Sequence, residues 1–546
     1  MLLFSVPLAL SAPVLEVLET HSIPILSTGA LVFLGGLFFA SLLMGATAAM
    51  LLPSQGAARV RQALYVLALV SILLCVIDVA IGGHKILSVV GANRYVRFAG
   101  LAATAALLFA VLWPMRWRAG SIFFVAAAAL FVSTVALNWR VPDLAASVDG
   151  TGAAQALAPD KPPVLYIVLD GAMGLEGLKR APGGEPLAGG VRELLLRHGF
   201  RVYGSAFTRH FVSARAIPNT LNFDFHDNSW GPKLRHHEGG KVRSRLFEDL
   251  ANDGYEVVVY GTEHIDFCFD VARRCEVLPS FNPFSPYLEH DERRGRWLYQ
   301  VLWLSFNRSY LLYRYGQLLL SMTGDEASSP PKDQLLDLRI GDFAALDTYA
   351  FPRWFQHFQD DVASSPRGRA YFAHLLMPHA PYIYDPGCRE PGTAVVAYFL
   401  NEQHNLTGAA LDAARATGYE AYVNQYSCLL RKLDEFLAKL DAVETFDDAT
   451  IVIHGDHGAR ISAGMYFESL SERDLIDNYS ALYAIRGASI PAGYDGRMTS
   501  IQRLTAEYFA PGGGKAIGPD DLTVAIDTRE GQVVVQRMPN LTPPAK

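Results

Sequence analysis

The ten residues 449–458, ATIVIHGDHG, restrict this chain more than any other stretch. Thr450 to His454 is a β-branched, apolar run of the kind that forms a strand buried on both faces. Gly455 breaks the run, and Asp456 and His457 follow at once. A carboxylate beside an imidazole at the carboxyl end of a parallel strand is where open α/β sheets put their chemistry. The two donors suit a divalent ion, Zn²⁺ first and Mn²⁺ second. Asp, Gly and His also favour turns, and an isolated triplet would be read as one. The strand before it and two further segments favour the metal.

The first of those segments is 163–171, PVLYIVLDG, an apolar strand that ends in Asp170 and a glycine. Such a carboxylate is either a metal ligand or the N-cap of the next helix. The second is 206–223, AFTRHFVSARAIPNTLNF, a strand end running into a hydroxyl-rich loop. Ser213, Thr208 and Thr220 are its candidate nucleophiles, or else turn and cap residues. A free hydroxyl is a poor nucleophile near neutral pH, and a divalent cation supplies the missing activation.

Strand-like runs at 164–169, 201–207, 256–260, 371–376, 450–454 and 481–485 alternate with helical patterns. Tyr422, Tyr426, Leu430, Leu433 and Leu437 fall on one helical face just before the key strand. The alternation predicts an α/β domain with a mostly parallel sheet between helices. Residues 523–526 and 532–536 read as a closing hairpin.

Of the 546 residues 51% are hydrophobic and only 18% charged, and the apolar excess lies before about residue 140. Residues 26–52, 98–115 and 121–138 carry no charge, and 64–81 carries one acid, Asp78, near its end. Each approaches or exceeds the roughly 20 residues that cross a bilayer. Residues 1–18 are apolar but lack a basic flank, so they are expected to stay uncleaved, as a fifth span or an interfacial segment. Arg59, Arg61, Arg116 and Arg118 place two loops in the cytoplasm, against Lys85, Arg94 and Arg97 in the loop between. On balance the last span exits outward. The expected division is an α-helical membrane domain at 1–140, an Ala/Gly/Pro/Asp-rich linker at 141–163 and an extracytoplasmic α/β domain at 164–546.

Cysteine usage fits that placement. Cys75 lies in a span, while Cys268, Cys275, Cys388 and Cys428 fall in the large domain. Their spacing contains no C-x-x-C, so Cys268 with Cys275 and Cys388 with Cys428 are expected as disulfides. Residues 293–320 mix aromatic and basic side chains, which suits either a membrane interface or a helical insertion. A net charge of −7 without a basic run gives no support to a nucleic-acid partner, and none is expected.

Strand–Asp–Gly, a Ser/Thr segment ending in Pro-x-x-Leu, MPHAPY and strand–x-x-DHG occur in that order. In this the chain resembles the sulfatase and phosphoethanolamine-transferase branch of the alkaline phosphatase superfamily. Its membrane-anchored members, lipoteichoic acid synthases among them, share the layout of N-terminal spans and a C-terminal extracytoplasmic domain. The resemblance implies that Asp170, Asp456 and His457 hold a metal. The transferases read Thr-Ala-x-Ser-Val-Pro where this chain has Ser213-Ala214-Arg215-Ala216-Ile217-Pro218, which makes Ser213 the nucleophile and a ligand. His379 in MPHAPY matches the histidine that faces the substrate phosphate or a second zinc, and His374 reads as a core histidine. Arg215 and Arg460 are candidates for binding phosphate through a bidentate fork.

Two departures narrow the family reading. Formylglycine sulfatases need Cys or Ser followed by x-Pro-x-Arg, and Ser213 is followed by neither in register. No histidine follows His457, so one zinc is expected rather than two. The implied reaction moves a phosphoryl-linked head group from a membrane phospholipid to Ser213, with His379 assisting. A glycan or lipid hydroxyl then takes it on. With water as the acceptor the same site is a phosphodiesterase. The implied location is the bacterial cytoplasmic (inner) membrane, with the catalytic domain in the periplasm.

Overall fold

The computed structural model describes residues 158–225, 242–262, 265–268, 271–278, 285–288, 346–390, 408–461, 470–511, 522–527 and 533–541, with short pieces before residue 126. The chain divides into two compact units, Met1–Leu144 with Asn282–Phe343, and Ala145–Phe281 with Ala344–Lys546. Of the four apolar stretches only 33–36, 106–115 and a few shorter pieces are described, and 1–18 and 293–320 lie wholly outside the described residues. Among the described residues no helix is long and apolar enough to cross a membrane.

The second unit carries the sheet. β1 (Val164–Leu169) leads through α1 (Leu175–Arg180) and α2 (Glu185–Arg197) to β2 (Arg201–Phe207). α3 (Ser213–Leu221), α4 (Arg245–Asn252), β3 (Glu256–Thr262) and β4 (Ala272–Leu278) follow. Next come α5 (Leu346–Ala363), β5 (Arg369–Leu375), the long α6 (Gly408–Asp441) and β6 (Thr450–Gly455). The chain ends with α7 (Glu472–Tyr479), β7 (Tyr483–Arg486), β8 (Gly493–Ser500), α8 (Ile501–Phe509) and the hairpin β9 (Thr523–Asp527) and β10 (Val533–Arg537).

The eight-stranded sheet has the order β4-β3-β5-β1-β6-β7-β2-β8. Only β7 runs against its neighbours β6 and β2. β1 is central, paired in parallel with β5 and β6, and all six of its residues are buried. Each fully buried Val, Leu or Ile contributes roughly 1.5–3 kcal/mol of transfer free energy, which fixes this strand between two helical layers. β4 and β8 escape a sequence reading because they are edges: ARRCEVL mixes buried and exposed positions and GYDGRMTS is mostly half-buried, so neither forms an apolar run. The site lies where β1, β5 and β6 end side by side.

One polar clasp fastens α6 to α2. His198, just beyond α2, sits between Asp441 Oδ2 at 2.5 Å from Nδ1 and Asp434 Oδ1 at 2.8 Å from Nε2. The hydrogen bond from His198, then that from Arg197, holds the Asp434 carboxyl below the usual carboxylate range. Burial pushes Asp441 up, but His198 and Arg486 outweigh it and its carboxyl also ends low. Carboxylates depressed in the folded state stabilise it above their unfolded pKa, and this is lost as the pH falls through their folded values. His198→Ala is expected to cost about 1 kcal/mol at neutral pH, since both carboxyls are partly solvent-facing. Urea unfolding against pH checks this, with variant and wild type converging in acid.

Candidate metal and nucleophile site

Asp170 follows the last residue of β1, and the backbone turns at Gly171, whose φ of +74° suits glycine. The turn aims the Gly171 N–H at Asp456 Oδ1, 3.0 Å away. Asp456 follows β6, whose last residue, Gly455, lies under this turn, and a Cβ there would meet the Ala172 carbonyl oxygen at 2.0 Å. Glycine at 455 is therefore what lets the two loops close on each other. Leu169 and Gly455 are register partners, so Asp170 and Asp456 leave adjacent parallel strands together.

The convergence is tight. His457 Nε2 lies 3.2 Å from Asp170 Oδ1 and 3.4 Å from Asp456 Oδ2. Ser213 opens α3, and its Oγ donates to Asp170 Oδ2 at 3.3 Å and lies 3.2 Å from His457 Nε2. His457 Nδ1 lies 2.8 Å from the Gly458 carbonyl, so it carries the proton and leaves Nε2 with a lone pair toward the cluster. Thr208 and Thr220 are turned elsewhere, donating to the backbone carbonyls of His210 and Ala216.

His379 is partly exposed at the rim, its Nε2 3.9 Å from Asp170 Oδ1. Its Nδ1 faces the Ala380 carbonyl and its Nε2 accepts from Arg460 Nη2. Burial, with Arg460 and His457 against the pull of Asp170, pushes the imidazole down to about 4, so it rests neutral. Arg460 also donates to the Phe211 carbonyl, and its φ of 60° is a left-handed conformation costly for a side-chain-bearing residue. Arg215 lies half-buried two residues after Ser213 on α3.

His374 is fully buried, as expected of a core histidine, and it also reaches the cluster. It pairs in register with Val168, two residues before Asp170, and its Nε2 is 3.1 Å from Asp170 Oδ2. The signal was its position on an otherwise apolar strand, one residue from the strand's end. For Asp170, burial raises the pKa, but the surrounding imidazoles of His379, His374 and His457 outweigh it and hold the carboxyl well below its usual range.

The residues fit a divalent cation. Asp170 with His379 and His457, and Asp170 with His374 and Asp456, each bring three ligand atoms within 4.8 Å of one another. Asp170 Oδ1 and Asp456 Oδ2 are buried without a hydrogen-bond partner. Two carboxylate oxygens so placed are costly unless a cation neutralises them. Imidazole and carboxylate together suit Zn²⁺.

No protein-family model and no curated protein matches the chain. Solved structures of the alkaline phosphatase superfamily resemble it. A member of that superfamily from Vibrio parahaemolyticus is similar at a TM-score of 0.37 and 14% identity, over 69% of this chain and 78% of the other. The phosphonate monoester hydrolase of Agrobacterium radiobacter gives 0.38 and 15%, over 68% and 81%. The C-terminal periplasmic domain of EcEptC from Escherichia coli gives 0.38 and 13%, over 70% and 96%. At such values the role of each residue here rests on its own geometry.

The four cysteines of the large domain pair as Cys268–Cys275 and Cys388–Cys428, with Cα–Cα distances of 5.8 and 4.9 Å. The second ties the segment after His379 to α6.

Proposed function

We propose that the chain is a metal-dependent, sulfatase-like phosphotransferase. It moves a phosphoethanolamine- or phosphoglycerol-type head group from a membrane phospholipid to a glycan or lipid acceptor, through a covalent intermediate on Ser213. The observation that carries this is the Ser213 hydroxyl within 3.3 Å of Asp170 and 3.2 Å of His457, beside two carboxylate oxygens that lack partners. A divalent cation held by Asp170, Asp456 and His457 supplies the positive charge that favours the Ser213 alkoxide and polarises the phosphoryl group.

The chain's own residues do the rest. Ser213 Oγ bonds to phosphorus as the bond to the lipid oxygen breaks. As Arg460 turns from His379 Nε2 to a phosphoryl oxygen, that nitrogen, neutral at rest, is freed to take the serine proton and pass it on to the departing lipid oxygen. The acceptor hydroxyl then attacks phosphorus, and its proton returns by the same nitrogen to Ser213. Arg460, next to that nitrogen, and Arg215 hold phosphoryl oxygens by charge-assisted hydrogen bonds.

The apolar stretches before residue 140 would keep this site beside its lipid donor. Two disulfides support an oxidising compartment, the periplasmic face of the bacterial inner membrane in this reading. Incubation of the full chain with phosphatidylethanolamine and phosphatidylglycerol vesicles, followed by peptide mass spectrometry, tests the proposal. A head-group adduct on Ser213 is expected, discharged by an added acceptor. Adducts confined to Thr208 or Thr220 would overturn the assignment, and head-group release in buffer alone would favour a phosphodiesterase.

A further inference from the structure

The segment 377–384, MPHAPYIY, has to hold His379 still, yet the sequence gives it few means to do so. Pro378 and Pro381 carry no backbone N–H. Backbone groups buried here must find partners from another element. Five of them find theirs in one side chain. Gln425, fully buried on α6, donates through Nε2 to the carbonyl of His379 at 2.9 Å and to those of Pro378 and Pro381 at 3.3 Å each. Its Oε1 accepts the N–H groups of Ile383 at 2.8 Å and Tyr384 at 3.4 Å.

A glutamine amide offers two donor hydrogens and two lone pairs, so this one is saturated by a single loop. One turn earlier, Tyr422 Oη accepts the Met173 N–H at 3.0 Å and donates to the Gly171 carbonyl at 2.9 Å. The same face of α6 therefore grips the turn after Asp170 and the loop bearing His379. The Cys388–Cys428 bridge anchors the far end of that loop three residues beyond Gln425.

We infer that Gln425 is a positioning residue for the phosphoryl transfer. It fixes the 378–384 backbone so that His379 Nε2 stays against Arg460 and beside Asp170. The inference rests on the role proposed for His379. It touches no substrate, so its effect must pass through that imidazole.

Two variants of the full chain test it. Gln425→Met removes every bond, while the isosteric Gln425→Glu keeps the acceptor and faces three carbonyls without the amide donors. With either, kcat for head-group transfer is expected to fall about 100-fold, the cost of a misplacement near 1 Å, with KM changed less than about threefold. In a double-mutant cycle, Gln425→Met on His379→Ala is expected to add nothing. Losses that multiply would overturn the inference. Hydrogen exchange read by mass spectrometry supplies an arm independent of turnover. Amides of 377–384 should exchange faster in both variants while β1 and β6 keep their protection, and an unchanged segment would refute the clamp. A wild-type chain without transfer activity would instead sink the proposed function, with the exchange result still deciding the clamp.

Discussion

Ser213→Ala is expected to lower head-group transfer by at least ~10³-fold, because loss of a nucleophile removes the covalent route and leaves only binding and electrostatic assistance. The fold should not suffer. Ser213 is partly exposed at the first residue of α3, and its hydroxyl bonds only to site residues, Asp170 and His457. Thermal unfolding of the metal-free variant should therefore stay close to wild type while the lipid adduct disappears. A variant that still acquires adduct at 206–223 would mean that another hydroxyl attacks. The bonds that Thr208 and Thr220 make to carbonyls argue against either.

Asp456→Asn should have the second-largest effect, and of a different kind. Asn keeps an acceptor for the Gly171 N–H, so the two loops stay joined. It removes the negative charge whose Oδ2 is buried and unpartnered beside His457. Metal affinity is expected to fall by more than ~100-fold, beyond the usual loss for an outer partner of a ligand. The metal-free protein should be no less stable than wild type, since an uncompensated buried charge has gone. Added zinc at 100 times the wild-type dissociation constant should stabilise wild type by about 2.7 kcal/mol and the variant by no more than about 0.4 kcal/mol. Paired thermal melts with and without zinc read both effects.

Much of this was legible in the sequence because of where the chemistry lies. Asp170, Asp456 and His457 each follow an apolar strand, and a run such as VLYIVL has no stable place except the middle of a sheet. Ser213 could be separated from Thr208 and Thr220 only by the family motif, since all three sit in one polar segment. His374 stayed hidden because a histidine on a buried strand looks alike whether it packs or bonds to a carboxylate. Only the register with β1 shows that it reaches Asp170. Gln425 gave no signal, because its partners are carbonyl and amide groups that every sequence contains. The edges β4 and β8 lacked the apolar run on which strand recognition depends.

The most direct test is a crystal of the zinc-soaked large domain within the full chain, measured at the zinc absorption edge. One anomalous peak per chain is expected, touching carboxylate oxygens of Asp170 and Asp456, His457 Nε2 and Ser213 Oγ. A zinc-saturated crystal with no peak among those residues, or a peak that leaves Ser213 out of reach, would contradict the account.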